Sequence, residues 1–94
     1  MEKSMYYSYA TAVYEKIKAK VNGYVRYKVY TDIDAIIFRV TFKDFHFDYA
    51  INDIQDKIYA GDSDIIIDEF MHAYKSEIFN AFFKHTRKKE VSEV

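Results

Sequence analysis

Asp68 and His72 stand four residues apart, the spacing at which a carboxylate and an imidazole share one helix face and could hold a divalent cation, with Glu69 or His46 as further donors. Asp62, Ser63 and Asp64 have the form of the opening of a calcium loop. The pattern then fails, because neither the glycine of the sixth loop position nor the glutamate of the twelfth follows, and no pair of histidines shares a helix turn. Ser4, Ser8, Ser63 and Ser76 lack the partnered histidine and acid of a nucleophilic motif. The expectation is a protein that is not an enzyme, with no cofactor and no bound metal.

Charge says more than motif. Residues 44 to 70 hold eight acidic side chains and one basic one, Lys57, whereas the chain as a whole carries a net charge of only −1. The flanking stretches are basic: Lys3, Lys16, Lys18, Lys20, Arg26, Lys28, Arg39 and Lys43 before it, and Lys75, Lys84, Arg87, Lys88 and Lys89 after it. A solvated helical face ordinarily interleaves signs to gain i,i+4 pairs, and this stretch does not. Asp44, Asp48, Asp53, Asp56, Asp62, Asp64, Asp68 and Glu69 are therefore the candidate partner-binding residues. Helix starts explain some of them, since carboxylates in a first turn are favoured by roughly 0.3 to 1 kcal/mol.

The 94 residues are half hydrophobic and include 10 Tyr and 8 Phe, enough for one core without a disulfide or structural metal. One domain over residues 1–94 is expected, with a frayed tail from about residue 90. Cysteine is absent and no apolar run approaches a membrane span, so the reading is a soluble, intracellular protein with no membrane partner. Proline is absent too, and glycine occurs only at positions 23 and 61.

Tyr6, Ala10, Val13, Ile17 and Val21 recur at helical spacing, predicting an amphipathic helix from Ser4, its expected N-cap, to about Asn22, with Gly23 as a left-handed terminator. The period then falls to two. Val25, Tyr27 and Val29 form one strand, Ile36, Phe38, Val40 and Phe42 a second, and Phe45, Phe47 and Tyr49 a third behind a Lys43–Asp44 hairpin turn. Asn52 and Gln55 have capping-box spacing before a short helix ending at Gly61. Asp62, Ser63 and Asp64 then offer caps for a long helix whose stripe is Ile67, Phe70, Met71, Tyr74, Ile78 and Phe82, ending around Lys84 to Arg87. Phe79, Phe82 and Phe83 are assigned to the core by the same spacing, with a dimer seam as the alternative.

The fold class is thus α+β: a helix, a three-stranded antiparallel meander and two helices, with the helices packed on one face of the sheet. The other face would present Tyr24, Arg26, Lys28, Tyr30, Ile37, Arg39 and Thr41, with His46 and Asp48 on the third strand. Cations interleaved with aromatic rings suit single-stranded nucleic acid, so a nucleic-acid-binding accessory role is the alternative to protein binding, although the acidic stretch opposes a polyanion.

This order of elements, with acid running from the third strand into the helix pair, resembles the small type II anti-CRISPR proteins carried by phages and prophages of Gram-positive bacteria. The stretches from Phe47 to Ile54 and from Ala73 to Phe79 are also similar to short phage proteins. The resemblance lies in architecture and charge and assigns no individual residue. It implies an inhibitor in the cytoplasm of an infected bacterium, whose partner is a CRISPR effector nuclease and whose acidic surface acts as a DNA mimic, competing with or preventing DNA loading.

Overall fold

The structure is a computed structural model and describes residues 2–61 and 63–92, with side chains given through residue 81 and at residue 83. Its elements are α1 (Lys3–Lys18), β1 (Tyr24–Tyr30), a 3₁₀ turn (Thr31–Ile33), β2 (Ala35–Phe42), β3 (Phe45–Ile51), α2 (Ile54–Ala60) and α3 (Asp64–Ser92). The strands form an antiparallel sheet in the order β1-β2-β3. The expected α+β architecture is the one observed, and its register sets the two faces. Val25, Val40 and Phe47 lie across from one another and point to the core, while Arg39 and Asp48 pair directly on the other side.

The core sits between that apolar face and the helices. Tyr6, Ala10, Val13 and Ile17 of α1 are buried over it, and Phe70 and Tyr74 of α3 make edge contacts with Phe47 at ring-centroid distances of 5.6 and 5.9 Å. Full burial of a Phe or Ile side chain contributes roughly 1.5–3 kcal/mol, so the register is held by its apolar face. A shift of one residue would turn Ile36, Phe38 and Val40 into water.

The helix ends depart from expectation. Ser4 lies inside α1, whose N-cap is Glu2 with no side-chain cap bond, and the helix stops at Lys18 with an ordinary αR residue, Ala19, behind it. Gly23 is not left-handed. It is required for close approach, because a Cβ there would stand 2.9 Å from the Thr41 carbonyl oxygen and 3.0 Å from Val40 Cγ1. Gly61 does take the left-handed C-cap role after α2, at φ 73°. The Lys43–Asp44 turn forms as expected, with Lys43 at φ 54°.

The capping box of Asn52 and Gln55 does not form. Asp53 occupies the N-cap of α2 in the left-handed region and its side chain makes no cap bond. Asp34, at the entry to β2, takes over from a distance. Its carbonyl accepts the Ile54 N–H at 3.2 Å, and its Oδ1 accepts the Gln55 N–H at 3.1 Å and the Tyr6 hydroxyl at 2.8 Å. Gln55 Nε2 in turn donates to the Tyr6 oxygen at 3.0 Å. That last bond favours the phenolate, but burial together with the hydrogen bond and negative charge of Asp34 outweighs it, and the Tyr6 hydroxyl titrates above its ordinary range.

The long helix also runs further than expected, remaining helical through Ser92, where an end around Lys84 to Arg87 is expected; the last two residues of the expected tail lie outside the described residues. At 29 residues it spans roughly 44 Å, in a molecule measuring 58 × 22 × 20 Å. Phe79 and Phe83 are not core. They are 65% and 53% exposed, because α3 has passed the end of the sheet before it reaches them, and they stack on each other at 6.1 Å. The Phe82 side chain lies outside the described set.

Asp34→Ala leaves the Tyr6 hydroxyl and the Gln55 N–H without their shared acceptor, and a loss of about 1–3 kcal/mol in urea unfolding is expected. Asp34→Asn, which keeps an acceptor and tolerates the left-handed backbone, should lose less.

Candidate functional site

The acidic stretch divides by location once it is folded. Asp44 sits in the β2–β3 turn, at the end of the sheet from which α3 emerges. Asp48 projects from the open face and is clamped by Arg39, whose Nε and Nη2 donate to its two carboxylate oxygens at 2.6 and 2.8 Å. Asp64, in the first turn of α3, pairs with Lys16 of α1 at 3.1 Å. Asp62 lies outside the described residues.

The rest gather at the other end. Asp53 and Asp56 stand three apart at the start of α2, on one side of that helix. Asp53 shares a small cleft with Lys57, Ile66, Tyr49 and Glu69 of the neighbouring elements. Burial, together with the charge of Glu69, raises the Tyr49 hydroxyl above its usual value. Asp68 follows one position before Glu69 and is exposed. Among the described residues no ion pair neutralises Asp53, Asp56, Asp68 or Glu69, and Lys57 donates instead to the Asn52 carbonyl oxygen.

Among the described residues, the Asp68–His72 pair acquires no third ligand. His46 pairs with Thr41 on the open face of the sheet, away from α3 and His72. No group of three or more His, Asp or Glu side chains able to hold a metal occurs among the described residues.

The open face is as the alternation predicts. Arg26 lies over the Tyr24 ring at 5.7 Å and Lys28 over the Tyr30 ring at 5.4 Å, so each cation is engaged by a neighbour on its own strand. A shallow hollow of about 390 Å³ opens between Arg26, Lys28, Tyr30, Ile37 and Arg39, with Asp48 on its rim.

A further surface escapes the sequence reading. Where α3 leaves the sheet, a trough of about 710 Å³ runs between the helix, the β2–β3 turn and the segment after α1. Its apolar lining is Val21, Phe42, Phe45, Met71, Tyr74 and Ile78, and its basic residues are Lys20, Lys43 and Lys75. Phe42 is 44% exposed and Ile78 38%. The signal available in the sequence was the apolar stripe of α3, which continues past the last residue that the strands can cover.

The Arg39–Asp48 clamp has a pH signature. The hydrogen bonds and charge of Arg39 outweigh partial burial and hold the Asp48 carboxyl below its ordinary value. A folded-state pKa below the unfolded one means that the contribution is complete above the unfolded value of about 4 and is lost as pH falls through the depressed one. Asp48→Asn should therefore be slightly less stable than the parent at neutral pH, by a small margin because both side chains are nearly half exposed. In thermal unfolding monitored across acidic pH, the two proteins should converge as pH falls through that depressed value.

No protein-family model, curated protein or solved structure matches this chain.

Proposed function

We propose that this protein is a small non-catalytic inhibitor that binds a cation-rich site on a host protein, using the carboxylates that α2 and the start of α3 hold at one end of the molecule. The observation that carries the reading is the placement of Asp53, Asp56, Asp68 and Glu69, exposed and with no cation paired to them among the described residues. Asp48 and Asp64 are already engaged by Arg39 and Lys16 and contribute less; Asp44 lies at the other end. Carboxylates fixed on helices lose little side-chain freedom on docking, so Arg and Lys side chains arranged for phosphates can bind them in place of nucleic acid.

The concrete form of the proposal is inhibition of a type II CRISPR effector nuclease, an enzyme that holds its guide–target duplex in a basic channel and reads a short duplex motif with arginines. Contact by the acidic end would compete with DNA loading. Purified protein added in excess to such a nuclease should slow target cleavage, with the effect weakening as salt rises. The variant Asp53→Lys/Asp56→Lys/Glu69→Lys should lose at least tenfold in inhibitory potency. Full-rate cutting at saturating wild-type protein would remove this reading.

A second reading rests on the open sheet face, where Tyr24 is 66% exposed beside Arg26, and Lys28 lies over Tyr30. Rings for base stacking and cations for phosphates stand on one strand. Titration of a labelled single-stranded oligonucleotide at low and moderate salt separates the two readings. Under this reading, Arg26→Glu/Lys28→Glu abolishes salt-sensitive binding, whereas the inhibitor reading leaves the oligonucleotide unbound.

A further inference from the structure

The trough at the end of the sheet lies away from the acidic end, and we propose that it is a docking site for an acidic amphipathic helix of another protein. Its apolar lining comes from every layer: Val21 after α1, Phe42 and Phe45 flanking the hairpin, and Met71, Tyr74 and Ile78 on α3. An α-helix laid into such a trough offers side chains at i, i+3, i+4 and i+7, which is how apolar grooves take helical partners. Phe42 and Ile78 stay substantially exposed in the free protein, so apolar surface remains to be buried by an occupant.

Charge selects the occupant. Lys20, Lys43 and Lys75 line the trough with Asp44 the one acid among the described lining residues, and the lysines come from three different segments. Distributed cations match the two polar flanks of an acidic helix, whereas a single-headed amphiphile such as a fatty acid would ask for convergent ones. A second copy of α3 fits poorly, because its distal half carries Lys84, Arg87, Lys88 and Lys89 and would bring like charge to the lysines.

Lys43 adds an independent indication. It takes φ 54° at the hairpin turn, a conformation that Gly, Asn or Asp adopts at lower cost. Its ammonium lies over the Phe42 ring at 5.5 Å, at the mouth of the trough. A lysine where turn chemistry disfavours it is a local inconsistency of the kind found at functional positions.

The test uses the full chain and two fluorescein-labelled helical peptides that share a Leu/Phe stripe, one flanked by Glu and the other by Lys. The Glu peptide should bind at least tenfold more tightly and shift the NMR signals of Val21, Met71, Tyr74 and Ile78. Ile78→Asp should weaken it at least tenfold. Lys20→Glu/Lys43→Glu/Lys75→Glu, which changes only exposed side chains, should invert the preference in favour of the Lys peptide. Equal affinity for the two peptides, or no binding of either, would overturn the proposal. Shifts of the same signals by decanoate but not by the Glu peptide would assign the trough to an amphiphile, and a dimer in sedimentation that Ile78→Asp dissolves would assign it to a second copy. Either result refutes the helix assignment. Nuclease inhibition that survives the lysine reversals would leave the acidic-end reading intact, so the two proposals fail separately.

Discussion

One aspartate ties the sheet to its helices. Asp34 closes the 3₁₀ turn in the left-handed region, presents its carbonyl to the first N–H of α2, and gives one carboxylate oxygen both to the second N–H of α2 and to the Tyr6 hydroxyl of α1. Three segments far apart in sequence are thereby fixed at one corner. Helix α2 is only seven residues long and could not persist alone, since nucleating a helix costs more than so few hydrogen bonds return. With its first N–H groups satisfied and Ile54 fully buried, it holds a defined place and passes the chain into α3. The acidic end of the molecule therefore depends on a residue that lies outside the acidic stretch.

The topology converts a charge pattern along the chain into a polarity across the molecule. Strand β3 runs from the hairpin toward the Asp34 corner, so the acids that follow it on α2 collect there, while α3 travels back and carries Lys75 to the trough. Lys20 and Lys43 arrive at the same end because α1 finishes and β2 turns there. Among the described residues, opposite charges meet in specific pairs, Arg39 with Asp48 across the open face and Lys16 with Asp64 between helices. A net charge near zero thus describes neither end.

What could be read from the sequence was whatever rests on periodicity. Tyr6, Ala10, Val13 and Ile17 share one face of α1 because nothing except burial decides their spacing, and the alternation from Val25 through Tyr49 dictated both faces of the sheet. The capping of the start of α2 was illegible because its partner, Asp34, is distant. Asn52 and Gln55 have the right local spacing for a box, but Gln55 spends its N–H on Asp34 and its side chain on Tyr6. Gly23 shows a related limit: its constraint is the backbone of Thr41, a strand away, and not its own φ. Phe79 and Phe83 carried helical spacing without a sheet left to cover them, and periodicity cannot say where a neighbouring element ends. Composition marks the acidic candidates but is blind to pairing, so it does not separate Asp48 and Asp64 from carboxylates that stay unpaired among the described residues.

The distal half of α3 shows what stability alone does not require. The buried positions of this helix end at Tyr74, and every described side chain from Lys75 onward is exposed. A segment of that length is marginal as a helix in water, so its order is inherited from the packed turns that precede it, which supply the nucleus and leave only propagation to be met. Propagation costs little, but exposing Ile78, Phe79 and Phe83 leaves apolar surface open to unwanted association. Polar residues at those positions would extend the helix equally well without that liability. Large apolar side chains on an extension the core does not use are the pattern expected of a surface that a partner would bury.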